Sequence, residues 1–310
     1  MTQVCSCNVG LGNSKVPGCD NIASVAHGLL FVPLFDDTGA RNQIDLTDTL
    51  DQAYWDAWVA NTDQSQRLRP FVSKKFQNVD LARGESQYET YDSGDMEFIQ
   101  SGEKKFTAVL PNTSPAVIKF FDSARCSKVG VYVVDINGNL IGNASATGYL
   151  RPFYIHDKSI DAREIPAKDK TAQKIELKFN FAKTEEDGDI GMILASELDS
   201  VHLLELEGLY DTYGVFSSIT TTGFVVDLRT HYGTVLNPNR VSGLVKADFT
   251  LKNRGTGATI TITSTTENTV TPGLYTFVIP SQTSGHKLKL TFSYAGYDSA
   301  ELGEQIILIP

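Results

Sequence analysis

Three of the chain's four cysteines stand close together, in the sequence VCSCNVGLGNSKVPGC. Cys5, Cys7 and Cys19 supply thiols, and His27 follows them. Thiolates and imidazoles are zinc ligands, but structural zinc sites use paired C-x2–4-C units, whereas the C-x-C spacing here is tighter and occurs once. A disulfide from Cys19 to Cys5 or Cys7 is a second alternative, and free thiols packed as small apolar groups are a third. Because no export signal is apparent, we expect reduced cysteines in an extended N-terminal arm.

Two other stretches could do chemistry, and neither predicts a site. The acidic sequence TEEDGDIG carries Glu185, Glu186, Asp187 and Asp189. It lacks the spacing of a calcium-binding EF-hand loop, so we expect a solvated turn. His156 stands beside Asp157, but neighbouring residues of a strand point to opposite faces. The sequence therefore predicts no metal, no cofactor and no catalytic residue, and we expect that the chain is not an enzyme.

The distribution of charge limits the partners that we expect. The formal net charge is −10, with 27 Lys and Arg against 37 Asp and Glu. The excess of acidic residues lies before Leu236, after which basic and acidic residues nearly balance. An acidic protein repels nucleic acid phosphates, so we expect no specific binding to DNA. No run of 18 apolar residues occurs, which predicts no membrane-spanning helix.

Two segments have the apolar periodicity of helices. The first is Asp45–Asn61, with Thr47 or Asp48 as the expected N-cap. Its apolar residues recur every four positions, and the set is Leu46, Leu50, Tyr54 and Trp58, with Trp55 expected at the margin. The second is Ser114–Cys126, which begins with Ser-Pro as helices often do. Its predicted packed face contains Val117, Phe120 and Phe121.

Most of the remaining chain has the pattern of β-strands. The sequence KVGVYVVDINGNLIG predicts a hairpin around Asn-Gly, and KIELKFNFA alternates apolar and polar residues as a half-buried strand does. We expect a mainly β protein with one or two packed helices. The predicted domains are an extended arm over residues 1–30, a β domain over 31–235 and a small β-sandwich over 236–310, because Pro and Asn residues near 235 suggest a boundary.

One long segment, Gly84–Pro111, alternates aromatic and acidic residues around Ser-Gly steps. It has too few apolar residues for a closed core, so we expect a long projecting hairpin. Such a hairpin exposes strand edges, and a neighbouring subunit is the natural cover for them. Its large side chains are Tyr88, Tyr91, Met96 and Phe98.

These elements in this order resemble the tail tube proteins of tailed bacteriophages. The resemblance covers about residues 1–230 and rests on the arm, the segment leading to SGEKKFTAVLP, the helix at 114–126, CSKVGVYVVDINGNLIG and QKIELKFNFA. The last part of the chain is similar in architecture to the immunoglobulin-like modules of such proteins, but lacks their Cys–Trp–Cys core.

The resemblance implies a tail-tube-type β-sandwich or barrel that forms homo-oligomeric rings, commonly hexamers, stacked into a tube through which DNA passes without specific binding. It implies a virion protein assembled in the bacterial host cytoplasm, with tape measure and terminator proteins as further partners. The implied inter-ring contacts are Val4, Cys5, Cys7, Leu11, Val16 and Cys19 of the arm and Tyr88, Tyr91, Met96 and Phe98 of the hairpin. The long first helix leaves a tail terminator, neck ring or capsid decoration protein as alternatives. A surface carbohydrate-binding protein or adhesin is an alternative of a different class.

Overall fold

The computed structural model describes residues 23–72, 75–185 and 187–310. The chain is mainly β and divides into two compact units, Met1–Gly208 and Leu209–Pro310. Within the described ranges, no helix is both long and apolar enough to span a bilayer.

The first unit contains most of the long strands. Its strands are β1 Ala26–Pro33, β2 Ile44–Asp45, β3 Arg69–Phe71, β4 Gln77–Arg83, β5 Gln87–Thr90, β6 Met96–Gln100, β7 Lys104–Pro111, β8 Val129–Asp135, β9 Leu140–Asn143, β10 Tyr149–Leu150, β11 Phe153–Tyr154, β12 Asp161–Ile165, β13 Lys174–Asn180 and β14 Ile190–Ile193. Its helices are α1 Gln52–Val59 and α2 Ala116–Ala124, and short 3-10 turns cover Asp187–Asp189 and Leu203–Glu205.

Two sheets of the first unit face each other across one apolar core. The larger sheet has the order β14-β9-β8-β1-β3, with β11 also paired to β8, and the smaller has the order β12-β13-β7-β4. Phe31 of β1 and Phe179 of β13 join them, with ring centroids 6.5 Å apart. The predicted alternation of KIELKFNFA is confirmed, since Ile175, Leu177 and Phe179 are buried.

Helix α1 is shorter than the sequence suggests. Asp51 caps it by accepting a hydrogen bond from the backbone N–H of Tyr54 at 2.9 Å. The predicted start is wrong because Asp45 accepts from the N–H of Thr47 at 2.9 Å, which closes a local turn in place of a helical one.

The buried face of α1 also differs from the prediction. Trp55 and Val59 are buried, Trp58 is half-buried and Leu46 is exposed. The predicted stripe of every fourth residue therefore does not match the buried face, because Trp55, which was expected at the margin, is fully buried. Trp58 instead lies beside Tyr132 of β8, with ring centroids 6.2 Å apart. This contact covers Tyr132 on the face of β8 opposite to that of Val131 and Val133, which lie in the core.

Helix α2 lies within the predicted segment. Val117 and Phe121 are buried in the core, and Phe120 packs against it. The Phe121 ring contacts that of Phe31 at 5.9 Å. The predicted packed face is confirmed.

The Asn-Gly sequence forms the predicted hairpin between β8 and β9. Gly138 has φ +83°, and its N–H bonds the carbonyl of Asp135 at 3.0 Å. Of the turn residues, Gly138 alone takes positive φ, so the turn is a three-residue loop with a bulge. The buried Asp135 side chain accepts hydrogen bonds from the N–H groups of Asn137 at 2.8 Å and Asn139 at 2.9 Å.

The second unit has two sheets and a short helix. Its elements are β15 Tyr210–Thr220, β16 Gly223–Gly233, β17 Pro238–Arg240, β18 Phe249–Asn253, β19 Thr259–Ile260, β20 Ser264–Glu267, β21 Leu274–Val278, β22 Lys287–Phe292, β23 Tyr297–Asp298, α3 Ala300–Glu304 and β24 Ile307–Leu308. The sheet orders are β20-β21-β16-β15-β23, with β17 on β16, and β19-β18-β22-β24. Phe249 of one sheet meets Phe277 of the other at 4.9 Å, so the sheets enclose a shared core.

Two predicted boundaries differ from the structure. The second unit begins at Leu209, not at 236, because β15 and β16 pair with β23 and β21 of that unit. The arm predicted over 1–30 overlaps β1, in which Leu29 and Leu30 are fully buried. Helix α3 was also missed, since the sequence suggested strands alone after 236.

Candidate functional site

A two-stranded hairpin extends from the smaller sheet of the first unit. Strands β5 and β6 pair with each other and with no other strand of the described chain. Their turn closes where the N–H of Gly94 bonds the carbonyl of Tyr91 at 2.8 Å, and Gly94 takes φ +87°. The projecting hairpin (residues 84–103) therefore extends about 25 Å from its root, at about 3.3 Å per residue.

One face of the projecting hairpin is apolar and open to solvent. Tyr88 and Phe98 are cross-strand partners whose rings meet edge to face at 5.7 Å. Met96 lies two residues from Phe98 and therefore on the same face. The exposed fractions are 52% for Tyr88, 65% for Met96 and 54% for Phe98. These three residues form the apolar face of the hairpin.

The other face is polar and acidic. Glu89 and Glu97 are cross-strand partners, an arrangement that brings two like charges together. The hydroxyl of Tyr91 donates to Glu97 at 2.6 Å and reaches Glu89 at 3.4 Å, which bridges the pair. The hydrogen bond with Glu97 raises the pKa of Tyr91, so the hydroxyl keeps its proton.

The whole projecting hairpin is strongly negative. It contains no Lys or Arg, and its acidic residues are Glu85, Glu89, Asp92, Asp95, Glu97 and Glu103. A field of one sign repels an identical hairpin and attracts a basic surface.

Charged side chains clamp the root of the hairpin to the rest of the unit. Arg83, the last residue of β4, donates Nε to Asp187 at 2.7 Å and a guanidinium N–H to the carbonyl of Glu185 at 2.6 Å. A third bond reaches the carbonyl of Gly102 at 3.1 Å. The Arg83 hydrogen bond is the largest cause that lowers the pKa of Asp187, so this carboxylate stays ionised.

Lys104 completes the clamp from the other strand of the root. Its side chain is 6% exposed, and its Nζ lies 3.1 Å from Oδ1 of Asp187. The same ammonium lies over the rings of Phe153 at 5.0 Å and Phe181 at 5.7 Å. An ion pair and two cation–π contacts thus stabilise a buried charge.

A close backbone approach also defines the root. The N–H of Gly84 bonds the carbonyl of Glu103 at 2.9 Å. A Cβ at Gly102 would overlap the carbonyl oxygen of Gly84, so glycine is required there. The Ser-Gly step of the sequence therefore marks the point at which the hairpin leaves the sheet.

The structure tests the placement of part of the predicted contact set. Tyr88, Met96 and Phe98 come together on the apolar face, whereas Tyr91 belongs to the acidic face. The predicted hairpin was too long, because residues 104–111 form β7 inside the core sheet. The arm residues Val4, Cys5, Cys7, Leu11, Val16 and Cys19 lie outside the described residues.

Sequence reasoning missed two features of the site. Ile99 is exposed and is the extra residue of a bulge, since Gln87 pairs with Gln100 while Tyr88 pairs with Phe98. The break in alternation at Phe98–Ile99 was its signal. The clamp was missed because Arg83 and Asp187 are far apart in sequence.

The acidic sequence around Asp187 is only partly the solvated turn that was expected. Glu185 is buried and accepts hydrogen bonds from Nδ2 of Asn143 at 2.7 Å and from the N–H of Tyr154 at 3.2 Å.

In the part of the chain that the structure describes, no three His, Cys, Asp or Glu side chains are grouped to hold a metal ion. Burial is the main cause that lowers the pKa of His27.

No protein-family model matches the chain, and no curated protein is significantly similar to it.

Proposed function

We propose that this chain is a structural protein that assembles with copies of itself into stacked rings, as the tail tube proteins of tailed bacteriophages do. The observation that carries the proposal is the projecting hairpin, whose apolar face is open to solvent in the single chain. Exposed apolar surface on a two-stranded ribbon favours association, because neither face of the ribbon has a core to pack on. A second copy covers it.

The architecture is compatible with such an assembly. A clamped root holds the hairpin in one direction, so that every copy presents it in the same way. Heterologous contacts of this kind generate rings when they close and stacks when they do not. In the proposed virion tube, hexameric rings conduct DNA, and the net charge of −10 keeps phosphates from binding the wall. Tape measure and terminator proteins would be the further partners, with assembly in the host cytoplasm.

The same surface serves the related roles of a tail terminator, a neck ring or a capsid decoration protein. These differ from a tube protein in the number of rings that form. A chain that closes one ring and stops fits the terminator or neck role, whereas growing tubes fit the tube role. The two-sheet second unit would be an immunoglobulin-like appendage in either case.

Electron microscopy of the purified full chain tests the proposal. We expect rings or tubes in negative stain, and their loss in the variant Met96→Ser/Phe98→Ser. The matched control is Leu46→Ser, which removes an exposed apolar side chain outside the hairpin. Circular dichroism should show that both variants fold. A wild-type chain that stays monomeric at high concentration, or a hairpin variant that assembles normally, would refute the proposal.

A surface carbohydrate-binding protein is the second candidate, and one observation favours it. The two Trp residues do not provide a sugar platform, since Trp55 is buried and Trp58 is half-buried. The second unit instead has a row of four partly exposed tyrosines, in the order Tyr232, Tyr210, Tyr297 and Tyr294. The centroids of successive rings lie 5.8 to 5.9 Å apart. Tyrosine combines an apolar ring with a polar hydroxyl, as sugar contacts require.

A glycan array, followed by titration of any hit, tests this candidate. Binding that the variant Tyr210→Ala/Tyr297→Ala abolishes would support it. A chain that binds no glycan on the array would remove it.

A further inference from the structure

The two ends of the smaller sheet of the first unit differ in charge. The projecting hairpin leaves the sheet at Lys104, the first residue of β7. The other end of β7 is Pro111, which pairs with Lys174 of β13. The turn between β12 and β13, residues 166–173, therefore lies at the end of the sheet opposite to the hairpin.

This turn carries unpaired positive charge. Lys168 and Lys170 are exposed, and Lys174 follows them at the start of β13. None of the three forms an ion pair with another described residue, and Asp169 is the one acidic residue among them. Further along the same strands Arg163 and Lys178 are paired with Glu176, at 2.5 and 2.9 Å. The lysines at the turn, unlike Arg163 and Lys178, are therefore available to a partner. We call Lys168, Lys170 and Lys174 the basic tip.

The basic tip also has a compact, defined shape. Backbone bonds between Lys168 and Thr171, at 2.9 and 3.0 Å, close the turn. Pro166, Ala167 and Ala172 are exposed beside the lysines, which adds small apolar surface to the positive charge. The acidic hairpin has the complementary combination, with an apolar face and carboxylates on one ribbon.

We propose that the basic tip receives the projecting hairpin of a second copy of this chain, so that copies join head to tail along the direction of the sheet. The proposal rests on the proposed function and names the partner surface of the same hairpin. Two hairpins meeting each other would place like charges together, whereas hairpin against basic tip places opposite charges together. The contact is heterologous, and where it does not close into a ring it repeats along the direction of the sheet and stacks one layer on the next.

The two parts of the contact have different roles. Exposed ion pairs contribute little affinity each, but they select the orientation and speed the encounter. The apolar face of the hairpin supplies the surface that is removed from water. Assembly through this contact should therefore weaken as salt rises, because screening acts on exposed charges.

Charge reversal on each side, alone and together, tests the contact. The basic-tip variant is Lys168→Glu/Lys170→Glu, and the hairpin variant is Glu89→Lys/Glu97→Lys. We expect each to weaken assembly of the full chain at 50 mM NaCl by about tenfold or more in sedimentation velocity, since two attractive pairs become repulsive. The chain that carries all four changes should return to within about threefold of wild type, because the charges are again complementary.

A control of equal charge change separates local contact from net charge. Lys252→Glu/Lys287→Glu changes two exposed lysines of the second unit and should leave assembly as in wild type. Thermal unfolding should confirm that every variant folds, and Lys168→Ala/Lys170→Ala replaces the basic-tip variant if it does not.

The outcomes distinguish this inference from the proposed function. If the basic-tip variant assembles as wild type does, while Met96→Ser/Phe98→Ser fails to assemble, the proposed function stands and the docking inference is wrong. If the chain that carries all four charge reversals assembles no better than the basic-tip variant or the hairpin variant, the two surfaces are not in contact and the inference is also wrong. If the wild-type chain never assembles, both proposals fail.

Discussion

The buried ammonium of Lys104 offers a quantitative test of the clamp at the hairpin root. In the variant Asp187→Asn, Lys104 loses its carboxylate but stays buried between the rings of Phe153 and Phe181. Removing one partner of a fully buried ion pair costs about 3–5 kcal/mol. Since the Asp187 side chain is 52% exposed, water compensates for part of the loss. We therefore expect the free energy of unfolding to fall by about 1–2 kcal/mol.

Removing the cation should have a different effect. In Lys104→Met, an unbranched apolar side chain occupies the space between the two rings, and sulfur contacts aromatic rings favourably. Asp187 keeps its bond from Arg83 at 2.7 Å. Replacement of a buried charge by an apolar group is often neutral, so this variant should lose less than Asp187→Asn. In the double variant no buried ammonium is left without a carboxylate, and Arg83 keeps its bonds to the carbonyls of Glu185 and Gly102. The loss of the double variant should therefore be smaller than the sum of the two single losses.

Denaturant and thermal unfolding of the four proteins measure this cycle. For a unit of this size, each kcal/mol shifts the melting temperature by roughly 2–4 °C, so Asp187→Asn should melt about 2–8 °C below wild type. Melting of the first unit must be resolved from that of the second, for example by Trp fluorescence, because both Trp residues are in the first. Strictly additive losses, or a larger loss for Lys104→Met than for Asp187→Asn, would refute the argument.

Three further outcomes are expected. Gly102→Ala places a Cβ against the carbonyl of Gly84 and should open the hairpin root. Limited proteolysis would detect this as faster cleavage within residues 84–103, and an unchanged rate of cleavage would contradict the close approach. Asp135→Ala removes a buried acceptor for the N–H and the side-chain amide of Asn139, among others. It should lower the free energy of unfolding in urea by about 3–5 kcal/mol, and a loss below about 1 kcal/mol would be inconsistent with those bonds. The pKa of Asp187 is lowered, chiefly by its hydrogen bond from Arg83, so its contribution to stability is complete above its unfolded pKa of about 3.9 and is lost as pH falls through the folded pKa. The difference in melting temperature between wild type and Asp187→Asn should therefore shrink from pH 6 to pH 3, and a constant difference would argue against the ionised clamp.

Local patterns predicted those parts of the fold that depend on near neighbours. The alternation of Ile175, Leu177 and Phe179 predicted a half-buried strand, because successive strand residues face opposite sides. Asn-Gly before Asn139 predicted a hairpin, because Gly138 takes a positive φ at no steric cost. The alternation of acidic and aromatic residues after Gly84 predicted a ribbon without a core of its own. Tyr88, Met96 and Phe98 are exposed on the hairpin that forms there.

Errors arose where a distant contact decided between local alternatives. The sequence alone allowed several registers for α1, and the tertiary structure selected one in which Trp55 is fully buried while Trp58 contacts Tyr132 of β8. The proline- and asparagine-rich stretch after Gly233 is the turn of a β16–β17 hairpin, so it does not separate domains.

The sequence by itself determined a mainly β chain with an excess of acidic residues and a ribbon that lacks its own core, because composition and two-residue periodicity are properties of the chain alone. Only the tertiary structure decided which face of that ribbon is apolar, since a bulge at Ile99 changes the alternation and the pairing of Tyr88 with Phe98 follows from it. It also decided that Arg83, Lys104 and Asp187 meet at the root, and that the acidic hairpin and the basic tip lie at opposite ends of one sheet. These relations depend on strand pairing across large sequence separations, which local patterns do not encode.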